Sequence, residues 1–328
     1  MAAVSVPSTP SIWFDLEHAR RVGFTVAPPR KVDVPLIDVH THAGRRPDTV
    51  LLLDAARRYG VTRLVTIAPL DECLWLQERY PDRIIPATTL TYDHRDDPAR
   101  LAAENLALLE RAVAAGLKVV KFWFKPRFNA DTGLKLDDAR LAPIFRFLGR
   151  HRMVALVHIA DPDAWWQKYY TDPTRYDSKE ATYLQAERAM AAYPEVRFIL
   201  AHLGGDPEHL DHLDRLLSTY PNLYLDTSAT KWLVRELGRQ PETARAFFQR
   251  WPDRILFGTD QVVRVRTEPA CYTSRYWVHQ IFWETGIVCP SPIPDADSDG
   301  PPMIHGLNLP AEVLRSVYYE NAVHLLFD

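Results

Sequence analysis

Three cysteines in 328 residues, Cys73, Cys271 and Cys289, form no Cys-x-x-Cys pair, and their number is odd. A disulfide framework or a zinc knuckle is not expected; free thiols in a reducing compartment are. No run approaches the ~20 apolar residues that span a bilayer. Residues 1–10 carry neither a charged n-region nor an apolar h-region, so no secretory signal is expected and the protein is assigned to the cytoplasm. A basic surplus is missing as well. Lys and Arg number 39 against 42 Asp and Glu, for a net charge of −3, which gives nucleic acid and membrane surfaces no electrostatic footprint. There is no Gly-x-Gly-x-x-Gly turn after the first strand-like run, no Walker loop and no Gly-x-Ser-x-Gly elbow. Dinucleotide binding and a Ser–His–Asp hydrolase therefore lack their signatures. What is present is an ordinary globular composition, 47% hydrophobic and 25% charged, with enough chain for one α/β barrel of ~250 residues plus additions.

From Val34 onward, β-branched apolar runs alternate with segments of helical period. Strands are expected near 36–42, 62–68, 83–90, 117–124, 153–159, 196–202, 222–226 and 254–259. Helices are expected near 48–59, 71–80, 97–115, 138–150, 180–193, 207–219 and 232–250. In the clearest helix Leu101, Leu106, Leu109 and Val113 recur near a 3.6-residue period, Asp97 and Pro98 make a start signal, and Gly116 a stop. Eight strands alternating with helices predict a (β/α)8 TIM barrel, with an open doubly wound sheet as the alternative. Residues 1–33 read as an N-terminal extension, with a turn at 7–10 and a short helix at 11–22, and 34–328 as the barrel domain. Two segments exceed ordinary loop lengths: 161–179 after strand five, rich in Trp and Tyr, and 261–308 after strand eight, with a proline-rich stretch at 290–302. Both follow the carboxyl ends of strands, where barrel enzymes keep their sites.

Four strand-like runs end in ligand or acid–base residues. Leu36-Ile37-Asp38-Val39-His40-Thr41-His42 places two imidazoles two residues apart, on one face of a strand. Runs ending at His158, His202 and Asp260 close strands five, six and eight. In a barrel these side chains converge at one mouth, and a catalytic metal site needs about three protein ligands and an open position. Asp260 could both ligate and accept a proton from an acidified water. His202 could be a second-metal ligand or a metal-free base or electrophile. Lys121, on strand four, has three open fates: carboxylated and bridging two ions, charged and gripping an anionic substrate, or snorkelling from the wall. Lys125, Arg127, Arg264 and Arg266 follow strands four and eight and suit a carboxylate. Trp123, Trp165, Trp166 and Tyr169 could wall the ligand. His94 follows strand three and could line the mouth, His209 and His212 lie in a helical stretch and are expected to be exposed, and His18, His151, His279, His305 and His324 have no partner pattern.

Ile37-Asp38-Val39-His40-Thr41-His42, Ala201-His202-Leu203-Gly204-Gly205 and Leu256-Phe257-Gly258-Thr259-Asp260 resemble the strand motifs of the amidohydrolase superfamily. The tail 306–314 and Tyr319-Glu320-Asn321-Ala322 resemble the C-terminal helix pair of its amidohydrolase-related branch, which also holds non-oxidative decarboxylases of aromatic or unsaturated acids. The resemblance covers about residues 34–328. It implies a (β/α)8 barrel with a divalent metal held by His40, His42, His158 and Asp260, with Asp260 and His202 catalytic. Zinc is the first expectation, manganese and iron(II) are alternatives, and one ion is expected over two. Lys121, Trp123, Lys125, Arg127 and Arg264 are expected to bind substrate. Relatives carry a Lys-Leu-His-Pro-like stretch where this chain has Lys121-Phe122-Trp123-Phe124, so strand four departs from the pattern. The expected reaction is hydrolysis of an amide, ester or lactone of a small carboxylate-bearing molecule, with metal-dependent decarboxylation as the alternative. Partners beyond that small molecule are not expected, apart from a second copy in a homodimer. A barrel that binds without catalysis is disfavoured by the intact ligand set.

Overall fold

The computed structural model describes residues 15–264, 268–298 and 300–328. The expected turn at 7–10, residues 11–14 of the expected helix, and Arg266 lie outside them.

The strands are β1 (Leu36–His42), β2 (Val61–Ala68), β3 (Ile84–Thr89), β4 (Val119–Trp123), β5 (Val154–His158), β6 (Arg197–Leu200), β7 (Leu223–Asp226), β8 (Ile255–Leu256) and β9 (Gln261–Val262). All neighbours pair in parallel, in the order β8-β7-β6-β5-β4-β3-β2-β1-β9. β8 and β9 are two pieces of the eighth barrel strand. Between them Val39 N–H donates to the Phe257 carbonyl and Asp260 N–H to the His40 carbonyl, each at 2.8 Å, which joins the last strand to the first. The fold is a (β/α)8 TIM barrel.

Alternation along the strands sorts the apolar side chains into two cores. Val65, Ile67, Ala87, Val119, Leu156 and Ile199 fill the barrel with Ile37 and Val39, and Ala322, Leu325 and Leu326 of the C-terminal helix pack on them. Leu64, Val120, Phe122, Val157, Phe198 and Leu225 point outward into the strand–helix layer. β1 breaks this alternation. Ile37 and Val39 face the interior, Asp38 reaches Tyr276 on an outer helix, yet His40 and His42 turn inward. The register with β2 slips between Asp38 and Thr41. This bulge re-phases the strand and aims both histidines at the mouth.

Local signals hold where they are strong. Asp97 Oδ1 accepts the Arg100 N–H at 3.1 Å, Pro98 opens helix Pro98–Ala114, and Gly116 follows its end at φ +79°. The expected helix at 232–250 is two, Thr230–Gly238 and Pro241–Arg250. Pro241 supplies no N–H and forces Gln240 out of helical geometry. The segment expected as a long loop after strand eight holds helix Pro269–Glu284 and an antiparallel pair, Val288–Pro290 with Met303–His305. Nearly every residue of that helix from Tyr272 to Glu284 is buried, so no polar face marks a helical period in the sequence. The segment at 161–179 holds the short helix Asp163–Tyr169. The tail is a helical run from Ala311 to Phe327 with one wide π turn at Ser316–Glu320. The three cysteines are free. No helix among the described residues is long and apolar enough to cross a membrane.

His279 lies in the middle of helix Pro269–Glu284 and is 1% exposed. Its Nδ1 accepts the Trp283 indole N–H and its Nε2 lies 3.0 Å from Thr230 Oγ1, so the imidazole is neutral. Burial, then the charge of Arg275, lowers its pKa to about 3. Unfolded histidine titrates near 6.5, so the stability this site contributes is complete above that pH and is lost as pH falls from there towards 3. Relative to the wild type, His279→Gln is expected to gain about 2 kcal/mol of unfolding free energy between pH 7 and pH 5. Urea titrations of both proteins at the two pH values measure it; parallel pH dependences would show that His279 carries its proton in the fold.

Candidate active site

The site forms at the carboxyl ends of the strands. His40 is fully buried, and its two nitrogens have different tasks. Nδ1 donates to Asp226 Oδ2 at 2.8 Å, which directs the Nε2 lone pair into the barrel mouth. There Asp260 Oδ1 lies 3.6 Å from His40 Nε2 and 3.1 Å from His42 Nε2. Asp260 takes φ +54° at the break in the eighth strand, a left-handed geometry that Asp and Asn tolerate better than most residues. Burial, then Lys121, lowers the His40 pKa to about 4, so the ring is neutral. Burial alone would raise Asp260; the hydrogen bond from His42 and the electrostatic influence of the His202, His40 and His42 rings outweigh it and hold the carboxyl well below its ordinary range.

Asp226 closes β7 in the same strand-end position. Its Oδ1 accepts the backbone N–H of His202 at 2.8 Å and of Ser228 at 3.0 Å, and the Ser228 hydroxyl as well. His40, His202 and Ser228 together keep it ionised against the cost of burial. Ser228 Oγ lies 2.6 Å from His202 Nδ1. Since that hydroxyl donates to Asp226, it accepts Nδ1–H from His202 and leaves His202 Nε2 unprotonated. His202 stacks on His40 with centroids 4.9 Å apart, and burial lowers its pKa strongly.

Lys121 on β4 is fully buried, its Nζ 3.2 Å from His40 Nε2 and 4.9 Å from the centre of the Trp123 ring. Burial lowers its pKa to about 8 against the pull of Asp260 and Asp226. Its ammonium position lies at the edge of the ligand group. His158 stands slightly apart. Its Nε2 is 2.9 Å from Asp161 Oδ1, and its ring meets His202 edge-on at 4.7 Å. Asp161 is fixed in turn by the Tyr170 hydroxyl at 2.6 Å.

Among the described residues three groups bring three donor atoms within 4.8 Å of one another: His40–His202–Asp226, His40–His42–Asp260 and Asp163–Asp206–His209. The first surrounds the Ser228 hydroxyl, which fills its centre. The third encloses the Lys179 ammonium, 2.5 Å from Asp163 and 2.8 Å from Asp206. His40–His42–Asp260 remains, two nitrogens and one carboxylate oxygen with a carboxylate behind one histidine, a donor set that fits zinc or a related divalent ion.

The other expected residues spread outward. Trp123 stacks on His42 at 5.7 Å, and Lys125 lies 5.9 Å from the Trp123 ring centre. Arg127 is exposed on helix Pro126–Thr132. Arg264 and Trp165 line a cavity of about 720 Å3 that includes Asp260. Trp166 donates its indole N–H to the Asp161 carbonyl, while Tyr169 is 42% exposed and packs against Trp165. His94 is bound to Glu104 at 2.7 Å, and His209 and His212 are hydrogen-bonded to Asp163 and Asp206. Asp161, Asp226 and Ser228 escaped the sequence reading. Asp226 carried a signal, since Leu223-Tyr224-Leu225-Asp226 repeats the pattern of an apolar strand ending in a polar group. Ser228 carried none.

The fold and this donor set define the class of metal-capable (β/α)8 barrels. The family described as Amidohydrolase matches residues 37–327, and the chain belongs to it. No curated protein sequence matches the chain. Solved structures that share the fold include an uncharacterised TIM-barrel protein from Bordetella bronchiseptica (16% identity, 89% of this chain and 98% of that one, TM-score 0.57). A second is 5-carboxyvanillate decarboxylase from Sphingomonas paucimobilis (14%, 90% and 99%, 0.53). A third is 4-oxalomesaconate hydratase from Rhodopseudomonas palustris (16%, 89% and 95%, 0.53).

Proposed function

We propose that this protein is a metal-dependent hydrolase that opens an amide, ester or lactone in a small carboxylate-bearing substrate. The observation that carries the reading is the convergence of His40 Nε2, His42 Nε2 and ionised Asp260 at the mouth of the barrel, beside a cavity of substrate size. His158 would complete the set of four ligands by turning from Asp161. A bound divalent ion supplies Lewis acidity, polarising a carbonyl and bringing the pKa of water from 15.7 towards ~7. Asp260 would help hold the ion and take up a proton from the attacking water. His202, with Nδ1–H committed to Ser228, presents an unprotonated Nε2 that serves as a base, taking up the proton collected at Asp260 and passing it to the leaving group. Lys121 places a positive charge beside the ligands, where an anionic group of the substrate can reach it. Lys125, Arg127, Arg264 and Trp123 line the approach.

Decarboxylation is the second reading. A buried ammonium beside the ligands would also hold a leaving carboxylate, and 5-carboxyvanillate decarboxylase shares the fold. The two reactions differ in product. Over a panel of lactones, esters, amides and aromatic acids, the hydrolase is expected to release acid in a pH-stat from a lactone or ester, or amine from an amide, with no CO2; CO2 release without hydrolysis would replace the first reading with the second. Elemental analysis of the purified protein is expected to give one divalent ion per chain, zinc first. Two ions per chain, with Lys121→Met losing one of them, would show instead that Lys121 is carboxylated and bridges.

A further inference from the structure

We propose that the cavity beside Asp260 contains a carboxylate subsite anchored by Arg275, with Gln261 and Tyr272 as its neutral hydrogen-bonding members. The inference rests on the carboxylate-bearing substrate proposed above and says where the group of that substrate farthest from the reacting bond is held. Gln261 follows Asp260 directly, and its backbone pairs with Thr41 of β1. Its side chain is 1% exposed, and among the described residues neither its amide nitrogen nor its amide oxygen has a partner. Tyr272 is 2% exposed, and its hydroxyl likewise has no partner among the described residues. Both line the cavity. Buried donors and acceptors without partners are rare and costly in native proteins. Two in one cavity wall mark a place where a ligand supplies the missing bonds.

The charge of the cavity selects the ligand. Lys231, Arg264 and Arg275 face it against Glu268 and Asp260, which leaves it net positive. Arg275 comes from helix Pro269–Glu284, one turn after Tyr272 and Cys271. Among the described residues its one hydrogen bond runs from Nη1 to the Cys271 carbonyl, and it forms no ion pair. A guanidinium placed this way keeps part of its fork for a carboxylate. Burial, then the nearby Arg264, disfavours its charge, and a bound anion relieves both. Trp165 and Trp232 supply apolar walls. Trp232 also meets the His202 ring at 5.7 Å, so the cavity runs into the catalytic centre. The ligand class is a small, flat diacid. One acid group or its derivative faces His202 and Lys121, and the other sits on Arg275, with a neighbouring hydroxyl or carbonyl between Gln261 and Tyr272.

Isothermal titration of the purified protein with isophthalate, its monoamide and benzoate tests the subsite. Wild type is expected to bind isophthalate at least tenfold more tightly than the monoamide or benzoate. Arg275→Gln should weaken isophthalate tenfold or more and leave benzoate unchanged, and Arg275→Lys should fall between. Tyr272→Phe should weaken 5-hydroxyisophthalate three- to tenfold and spare isophthalate. Cys271 lines the same cavity, so isophthalate should slow its alkylation by iodoacetamide, read by peptide mass spectrometry. If Arg275→Gln does not fold, Arg275→Lys and the protection of Cys271 in wild type carry the test. Equal affinity of wild type for diacid and monoamide, no binding of the diacid, or undiminished isophthalate binding by folded Arg275→Gln overturns the proposal. Arg275-dependent binding with no hydrolysis of any ester or lactone would sink the hydrolase reading and keep the subsite. Hydrolysis indifferent to Arg275 would do the reverse.

Discussion

Asp260→Asn is expected to lower kcat/KM by about a thousandfold or more, or about 4 kcal/mol of transition-state stabilisation. The substitution is close to isosteric, and asparagine accepts the φ of +54° at this break in the eighth strand as readily as aspartate. The backbone bond from Asp260 N–H to the His40 carbonyl is unaffected. What disappears is the negative charge between His40 and His42, and with it a ligand and a proton acceptor. Steady-state kinetics on any turned-over substrate, with the ion content measured on the same sample, gives the result. A melting temperature close to that of wild type would show that chemistry was lost and the fold kept. An activity within tenfold of wild type would remove Asp260 from the reaction.

The second large effect is expected one shell further out, at Asp226→Asn. The carboxylate accepts Nδ1–H of His40 at 2.8 Å, and this bond is what leaves His40 Nε2 free to ligate. An asparagine that turns its NH2 towards His40 drives the proton to Nε2 and removes the lone pair. One that turns its oxygen there presents NH2 to the N–H groups of His202 and Ser228, which now donate to Oδ1. Neither orientation satisfies all partners. Supporting carboxylates of this kind are worth about 10–100-fold in metal affinity, and a buried hydrogen bond to a charged group about 1.5–3 kcal/mol of stability. Competition against a zinc chelator and thermal unfolding should show both losses together. Unchanged zinc affinity would mean that Asp226 serves the fold alone.

The residues of the mouth show what could be read from the chain and what could not. His40 and His42 announced themselves because side chains two apart on a strand share a face, and His158, His202 and Asp260 because each ends an apolar strand. Their phase was another matter. Ile37 and Val39 occupy the inward positions of β1, and regular alternation from them would have carried His40 outward. The slipped register with β2 turns it in. Lys121 was visible as a strand-four lysine with three fates; its burial and its position 3.2 Å from His40 Nε2 came only with the ring of strands. Helix Pro269–Glu284 stayed hidden in an expected loop because burial on nearly every side removed its polar face, and with it went Arg275 and Tyr272.

The sequence by itself determined the alternation of strands and helices, the barrel, and the strand ends where ligating groups collect. These follow from local periodicities of two and about 3.6 residues, which a chain carries in its order of apolar and polar side chains. Tertiary structure alone decided which lone pairs face one another, that the Ser228 hydroxyl fills one of the three donor groups and an ammonium another, and that Gln261 and Tyr272 end without partners among the described residues. Those outcomes depend on contacts such as His40 with Asp226, 186 residues apart in the chain, and are set by the closure of the ring and the bulge in its first strand, for which no local period exists.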